Sequence, residues 1–259
     1  MDLQTFKVID QLSGRMMGLR ADMTPQAARI DAHLLNSDGI TRLCYANNVL
    51  HTISSGITQT REPLQVGAEL YGHSGLESDL EIQQLMLKCL SVAGVRKIYL
   101  DLGHVAVFRS LIINAGISSQ LETELFTTLQ AKDLSTLKEL CSHLQPSIRD
   151  ALMLLPELYG GDRVLTDGAK WLPDYPEIKT ALNELNVIKQ EMTSLVEHIA
   201  FDLADLRGYH YHTGIVFAAY VRGSSNAIAL GGRYDEIGKA FGRSRPATGF
   251  SMDLRDLSK

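Results

Sequence analysis

Short runs of alternating hydrophobic and polar residues occupy the beginning and the end of the chain. This two-residue period is typical of β-strands, whose successive side chains point to opposite faces. It predicts strands at Thr5–Ile9, Arg15–Arg20, Arg42–Leu50, Leu64–Tyr71, Val95–Leu102, Ile199–Leu203, Gly214–Tyr220, Asn226–Leu230 and Ala247–Ser251. Hairpin-length turns join many of these segments, and a longer hairpin loop is predicted at Thr52–Glu62. The pattern therefore favours a mainly antiparallel sheet.

A helical period separates the two strand-rich parts. Between residues 105 and 197 hydrophobic residues recur every three or four positions, and prolines punctuate the pattern. Helices are predicted from Thr24 to Leu35 and at Asp79–Val92, Leu121–Leu129, Leu134–Leu144 and Glu177–Val196. We therefore expect an α+β fold, in which residues 1–104 and 198–259 form one domain and residues 105–197 a mainly helical insertion.

The composition is that of an ordinary globular protein and narrows the function classes. No apolar run among the 259 residues is long enough to span a membrane, and the first residues lack the pattern of a signal peptide. The three cysteines are far apart, which suits a reduced cytoplasm better than a disulfide framework or a metal site. A formal charge of −5 does not attract phosphate backbones, so nucleic acid is not an expected partner.

Four segments place polar residues beside glycines within apolar surroundings, namely LRADMT, QVGAE, RGYHYHTG and GGRYD. Buried polar groups need partners, either one another or a ligand. In the second segment, Gln65, Gly67 and Glu69 share one face of the predicted strand. An amide and a carboxylate thus point in the same direction.

These residue types suit a small zwitterion with a planar side chain. Asp22 and Thr24 can receive an ammonium group, Arg207 a carboxylate, and Glu69 a ring N–H. The predicted ligand-binding residues are Asp22, Thr24, Gln65, Glu69, Arg207, Tyr209, Tyr211 and His212. An alternative interpretation takes Arg207, Asp22 and Glu69 as a structural ion pair and cap, and the tyrosines as core residues.

The order of the motifs resembles one known family. LRADMT, QVGAELYG, RGYHYHTG, GGRYDE and PATGF are similar, over residues 4–257, to the catalytic domain of histidyl-tRNA synthetases. Several motifs in one order are far more specific than any single motif. The resemblance implies a class II synthetase fold, an antiparallel sheet flanked by helices, with a pocket shaped for histidine.

The resemblance also implies roles for individual residues. It puts Asp22 and Thr24 near the ligand ammonium group, Gln65 at the head group and Glu69 at the imidazole. Arg207 matches the family's catalytic arginine. Tyr211 and His212 stand where the family has two tyrosines, so His212 departs from the pattern.

Two further departures concern ATP. His51 and Asp256 occupy the positions of the family's two ATP-binding arginines. A neutral imidazole cannot replace a permanently charged guanidinium, and a carboxylate repels a triphosphate. The motifs therefore predict histidine recognition without adenylation.

This combination resembles the regulatory-subunit branch of the family, which accompanies a short-form ATP phosphoribosyltransferase catalytic subunit in histidine biosynthesis. That branch implies a hetero-oligomer, a homodimer of this chain and no cofactor. The chain begins beyond the elements that class II proteins use to dimerise, and no anticodon-binding domain is expected. Two alternatives remain: a divergent enzyme that forms histidyl-adenylate, and an interaction domain that has lost its ligand.

Overall fold

The structure is a computed structural model that describes residues 4–54 and 60–257; the middle of the predicted 52–62 loop, with Gly56, lies outside the described residues. The strands in chain order are β1 (Lys7–Ile9), β2 (Met16–Gly18), β3 (Thr41–Asn48), β4 (Leu64–Tyr71), β5 (Ile98–His104), β6 (Tyr159–Gly160), β7 (His198–Asp202), β8 (Ile215–Val221), β9 (Ala229–Arg233) and β10 (Ala247–Asp253). The helices are α1 (Thr24–Ile30), α2 (Leu76–Val92), α3 (Val105–Asn114), α4 (Ser119–Ala131), α5 (Leu134–Cys141), α6 (Pro146–Leu154), α7 (Arg163–Trp171), α8 (Pro176–Met192) and α9 (Leu254–Leu257).

Two compact units make up the chain. The first contains residues 1–96, 228–231 and 235–259, and the second residues 97–227 and 232–234. Strand β9 is thus divided between the units. All the helices of the predicted 105–197 insertion lie in the second unit, together with β5, β7 and β8. The boundaries of that insertion stay a prediction.

In the first unit, β4 lies between β3 and β10, and both pairs are antiparallel. The register places Leu43 and Gly249 on either side of Glu69, and Tyr45 opposite Gly67. Helix α2 packs against β4 and β10. The face it buries includes residues at helical spacing, Ile82, Met86 and Leu90. The sheet and α2 therefore hold the second polar segment in a fixed register.

In the second unit the strand order is β8-β5-β7-β6. The β5–β8 and β6–β7 pairs are antiparallel, whereas β5 and β7 are parallel. A parallel pair requires a long crossover connection, which the chain from α3 to α8 provides. The prediction of a mainly antiparallel sheet is confirmed: of the strand pairs described here, β5–β7 is parallel and the others are antiparallel.

The predicted amino-terminal hairpin is present as β1 and β2, with Val8 opposite Met17. Every residue of both strands is exposed. Leu12 in the turn is 98% exposed and Met16 is 70% exposed. This hairpin therefore presents apolar side chains to its surroundings.

Strand β5 starts three residues later than predicted, because Val95 belongs to the turn that follows α2. Its N–H donates to the Leu90 carbonyl oxygen at 2.9 Å, and Gly94 adopts the left-handed conformation, with φ +85°, that ends a helix.

Helix α3 was not predicted as a separate element. Seven of its ten residues are apolar and six are buried, so the sequence lacks the broad polar face that marks an amphipathic helix.

Candidate functional site

Gln65 on β4 holds the loop that leads into α1. Its side-chain Nε2 donates to Asp22 Oδ1 at 2.9 Å, and its Oε1 accepts from the Met23 N–H at 2.8 Å. Asp22 Oδ1 also accepts from the Thr24 N–H at 3.2 Å. The first two predicted segments are therefore joined by hydrogen bonds within the first unit.

Glu69 lies four residues beyond Gln65, on the same face of β4, and is 1% exposed. The Tyr45 hydroxyl, from β3, donates to Glu69 Oε1 at 3.0 Å. Burial raises the pKa of the Glu69 carboxyl well above its ordinary value, while hydrogen bonds with the side chains of Thr24 and Tyr45 act in the opposite direction. The carboxyl is thus costly to ionise and is supported by two hydroxyl groups.

His51, which replaces an ATP-binding arginine of the family pattern, tethers the same loop. Its Nε2 lies 2.8 Å from the Ala21 carbonyl oxygen. Since a carbonyl oxygen only accepts, Nε2 must carry the hydrogen. Arg61, ten residues beyond His51, donates to the His51 carbonyl oxygen at 3.0 Å, and its guanidinium lies over the Phe6 ring. Both side chains therefore have structural contacts.

In the second unit, Arg207 pairs with Asp205. Arg207 Nε donates to the two carboxylate oxygens at 2.9 and 3.0 Å, and Nη1 donates to the Tyr220 hydroxyl at 2.9 Å. Burial opposes the charge, but the hydrogen bonds and the charge of Asp205 keep the pKa of Arg207 above its ordinary value. The partner of Arg207 is an acidic residue two positions away, which the motif comparison did not single out.

Tyr209, predicted to line the ligand pocket, is 3% exposed and points into the helical layer. Its ring lies 5.2 Å from that of Phe108 on α3 and 5.6 Å from that of Phe126 on α4. Its hydroxyl donates to Glu122 Oε1 at 2.7 Å. This placement favours the alternative interpretation of Tyr209 as a core residue.

His212 is held between two glycines. A Cβ at Gly208 or at Gly232 would lie 2.7 Å from the nearest atom of the His212 ring. Burial lowers the pKa of His212 to about 4, so the ring is neutral at pH 7. Its neighbour Tyr211 packs edge-on against it, with ring centroids 5.1 Å apart. The glycines of two predicted segments therefore serve to admit this ring.

Known proteins match the chain over nearly its full length. The sequence profile of the family described as histidyl-tRNA synthetase matches residues 1–257. The ATP phosphoribosyltransferase regulatory subunit of Nitrosospira multiformis is 68% identical over 262 residues, which cover all of this chain and 67% of that protein. The chain belongs to the ATP phosphoribosyltransferase regulatory subunits of the histidyl-tRNA synthetase family.

Solved structures place this regulatory subunit in the same fold. An ATP phosphoribosyltransferase regulatory subunit/histidyl-tRNA synthetase from Bacillus halodurans has a TM-score of 0.87 at 30% identity, over 99% of this chain and 68% of that one. The ATP phosphoribosyl transferase complex from Thermotoga maritima has a TM-score of 0.72 at 18% identity, over 95% of this chain and 84% of that one. The predicted class II synthetase-like fold and the prediction of a regulatory, non-catalytic subunit are confirmed.

The described residues of this regulatory subunit contain neither a group of metal-binding side chains nor a membrane-spanning helix. No group of three histidine, cysteine, aspartate or glutamate side chains there could hold a metal ion. No helix in the same residues is long and apolar enough to cross a membrane.

Sequence reasoning missed Tyr45 and Asp205, which contact two of the predicted residues. The signal for Asp205 is its place two residues before Arg207 in the segment ADLRG. The signal for Tyr45 is weaker, because its position opposite Gly67 follows only once the register of β3 and β4 is known.

Proposed function

We propose that this regulatory subunit binds L-histidine and thereby controls a short-form ATP phosphoribosyltransferase catalytic subunit in the first step of histidine biosynthesis. The observation that carries the proposal is the Glu69 carboxyl, which is buried and supported by the hydroxyls of Thr24 and Tyr45. A buried carboxylate is stabilised by a further donor, such as the ring N–H of histidine.

The family pattern supplies the remaining assignments. Asp22, Thr24 and Gln65 are proposed for the ammonium and head group, and their mutual hydrogen bonds support that role because they fix the loop before α1. Arg207 is proposed for the ligand carboxylate. To bind it, the Arg207 guanidinium would have to give up part of its hydrogen bonding to Asp205.

Tyr211 and the neutral ring of His212 are proposed as contacts of the ligand side chain. Tyr209 is proposed only to support them, since its own ring packs between helices.

Isothermal titration calorimetry is expected to detect binding of L-histidine and none of ATP, because neither His51 nor Asp256 supplies a phosphate-binding guanidinium. L-phenylalanine is the matched control ligand: it has the same head group but no ring N–H, and a site built for such a donor rejects the analogue that lacks it. ATP binding of similar strength, or pyrophosphate exchange driven by histidine, would instead support the alternative of an enzyme that forms histidyl-adenylate.

The proposed assembly contains the catalytic subunit and two copies of this chain, in the cytoplasm. The name of the relatives as regulatory subunits supports the catalytic partner. The exposed apolar residues of the β1–β2 hairpin support contact with a second copy. Cys44, Cys89 and Cys141 are free thiols, which supports a reducing compartment.

Mixed with a short-form catalytic subunit, the protein is expected to form a hetero-oligomer whose activity falls as histidine is added. Histidine can shift the partner only as far as its affinities for the active and inhibited states differ, commonly by about 1–3 kcal/mol. The measurement is the catalytic rate against histidine concentration, with wild type and with Glu69→Gln. Inhibition that is unchanged in the variant, although this chain no longer binds histidine, would place the sensing site elsewhere.

A further inference from the structure

Two tyrosines, the half-buried Tyr45 and the buried Tyr71, lie on the face of the first unit's sheet that carries Glu69. Tyr45 is on β3, opposite Gly67, and Tyr71 is at the end of β4, two residues beyond Glu69. Their hydroxyls differ in one respect. The Tyr45 hydroxyl donates to Glu69 Oε1 at 3.0 Å, whereas the buried Tyr71 hydroxyl has no hydrogen-bond partner among the described residues. Only Tyr45 is linked to the proposed ligand-binding carboxyl.

Gly67 makes this link possible. A Cβ at this position would lie 2.5 Å from Tyr45 Oη, 2.6 Å from Tyr45 Cζ and 2.3 Å from the Phe250 carbonyl oxygen. Real Cβ contacts are not this short, so the Tyr45 ring crosses the backbone of β4 at the one residue that has no side chain. The ring then reaches Glu69, the next residue on that face.

We propose that Tyr45 is a positioning residue of the ligand site, whose hydroxyl orients the Glu69 carboxylate toward the side-chain ring N–H of the ligand. This inference rests on the proposed binding of histidine. An ionised carboxylate has about four lone-pair sites, so the hydroxyls of Tyr45 and Thr24 leave acceptor capacity for a ligand donor. Tyr45 thus acts through Glu69, with no contact to the ligand required of it.

The role of Tyr45 can be measured through the pH dependence of ligand binding, because charged groups surround Glu69. The charged or titratable groups around Glu69 and Tyr71 are Asp22 before α1, Asp31 after it, Arg245 and Tyr45; β10 contributes Gly249 opposite Glu69. Burial raises the pKa of Glu69, and the Tyr45 hydrogen bond opposes that rise. Removal of the hydroxyl therefore raises this pKa further.

Binding through an accepting carboxylate is lost as Glu69 becomes protonated. In a plot of histidine affinity against pH, the acidic limb, where binding is lost, should therefore move to higher pH in Tyr45→Phe. The imidazole of free histidine also titrates near pH 6.5, but that effect is common to every variant and cancels in the comparison.

The test is calorimetry of the full chain with L-histidine from acidic to neutral pH, for wild type, Tyr45→Phe and Tyr71→Phe. Tyr45→Phe is expected to weaken binding about ten-fold at neutral pH and to shift the acidic limb upward, since a hydrogen bond to a charged group is lost. Tyr71→Phe, which removes a buried hydroxyl without a partner, is the matched control and should bind as wild type does.

The outcomes separate this inference from the proposed function. If wild type does not bind histidine, both fall. If wild type binds and Tyr45→Phe has the same affinity and pH profile, the inference alone is overturned. Weaker binding without a pH shift, or loss of the fold in Tyr45→Phe alone, would assign Tyr45 a packing role and overturn it equally.

Discussion

Glu69→Gln is expected to weaken histidine binding by about ten- to a hundred-fold while leaving the folded protein as stable as wild type, or more so, at neutral pH. A hydrogen bond to a charged group typically contributes about 1.5–3 kcal/mol, which sets the size of the loss in affinity. The amide retains the size of the side chain but carries no charge. Calorimetry measures the first effect and denaturant unfolding the second.

The stability effect follows from the direction of the pKa shift. Because burial raises the pKa of Glu69 in the folded state, the folded protein binds more protons than the unfolded chain between the ordinary and the raised pKa. Wild-type stability therefore falls as the pH rises through this window. Glutamine does not titrate, so the advantage of Glu69→Gln over wild type should grow from acidic to neutral pH.

Glu81→Gln on α2 is the matched control. Glu81 is a half-exposed carboxylate paired with Arg42, and the Arg42 hydrogen bond lowers its pKa, the opposite direction from Glu69. Exposed pairs of this kind contribute little, so binding should be unchanged and stability nearly so. If Glu69→Gln binds normally and unfolds much more easily, Glu69 is a structural residue and the interpretation of the polar segments as a structural pair and cap is correct.

Gly67→Ala is expected to lower the free energy of unfolding by about 3 kcal/mol and to weaken histidine binding as well. The new methyl group would lie 2.3 Å from the Phe250 carbonyl oxygen, which is backbone of β10 and cannot rotate away as a side chain would. Overpacking of this kind costs about 1–3 kcal/mol, and a clash with backbone lies at the upper end of that range. Displacement of Tyr45 would also remove a hydroxyl from Glu69.

The control for this substitution is Gly39→Ala in the same unit. A Cβ at Gly39 would meet only Ser37 Oγ, at the ordinary contact distance of 3.6 Å. Denaturant unfolding of the two variants should give a large loss of stability for Gly67→Ala and almost none for Gly39→Ala. Equal stabilities would mean that β4 and β10 can separate without cost and that Gly67 is not required for the passage of Tyr45.

The sequence by itself determined which residues of β4 share a face and which polar residues the four segments contain. Gln65, Gly67 and Glu69 share one face because the two-residue period is local. The structure confirms this, since Gln65 contacts the loop before α1 and Glu69 contacts the first residue of α1. The order of five motifs was also sufficient to predict the family, which the comparisons confirm.

The tertiary structure decided which neighbours these residues have. Tyr45 meets Glu69 only through the register of two strands, and Tyr209 turns toward α3 and α4 because Phe108 and Phe126 offer it an apolar contact. Arg207 is paired with Asp205. Several acidic residues could have been its partner, and local spacing does not tell which one it is. Local periodicity fixes the face on which a side chain lies, whereas its partner depends on segments far away in the sequence, which come together only as the chain folds.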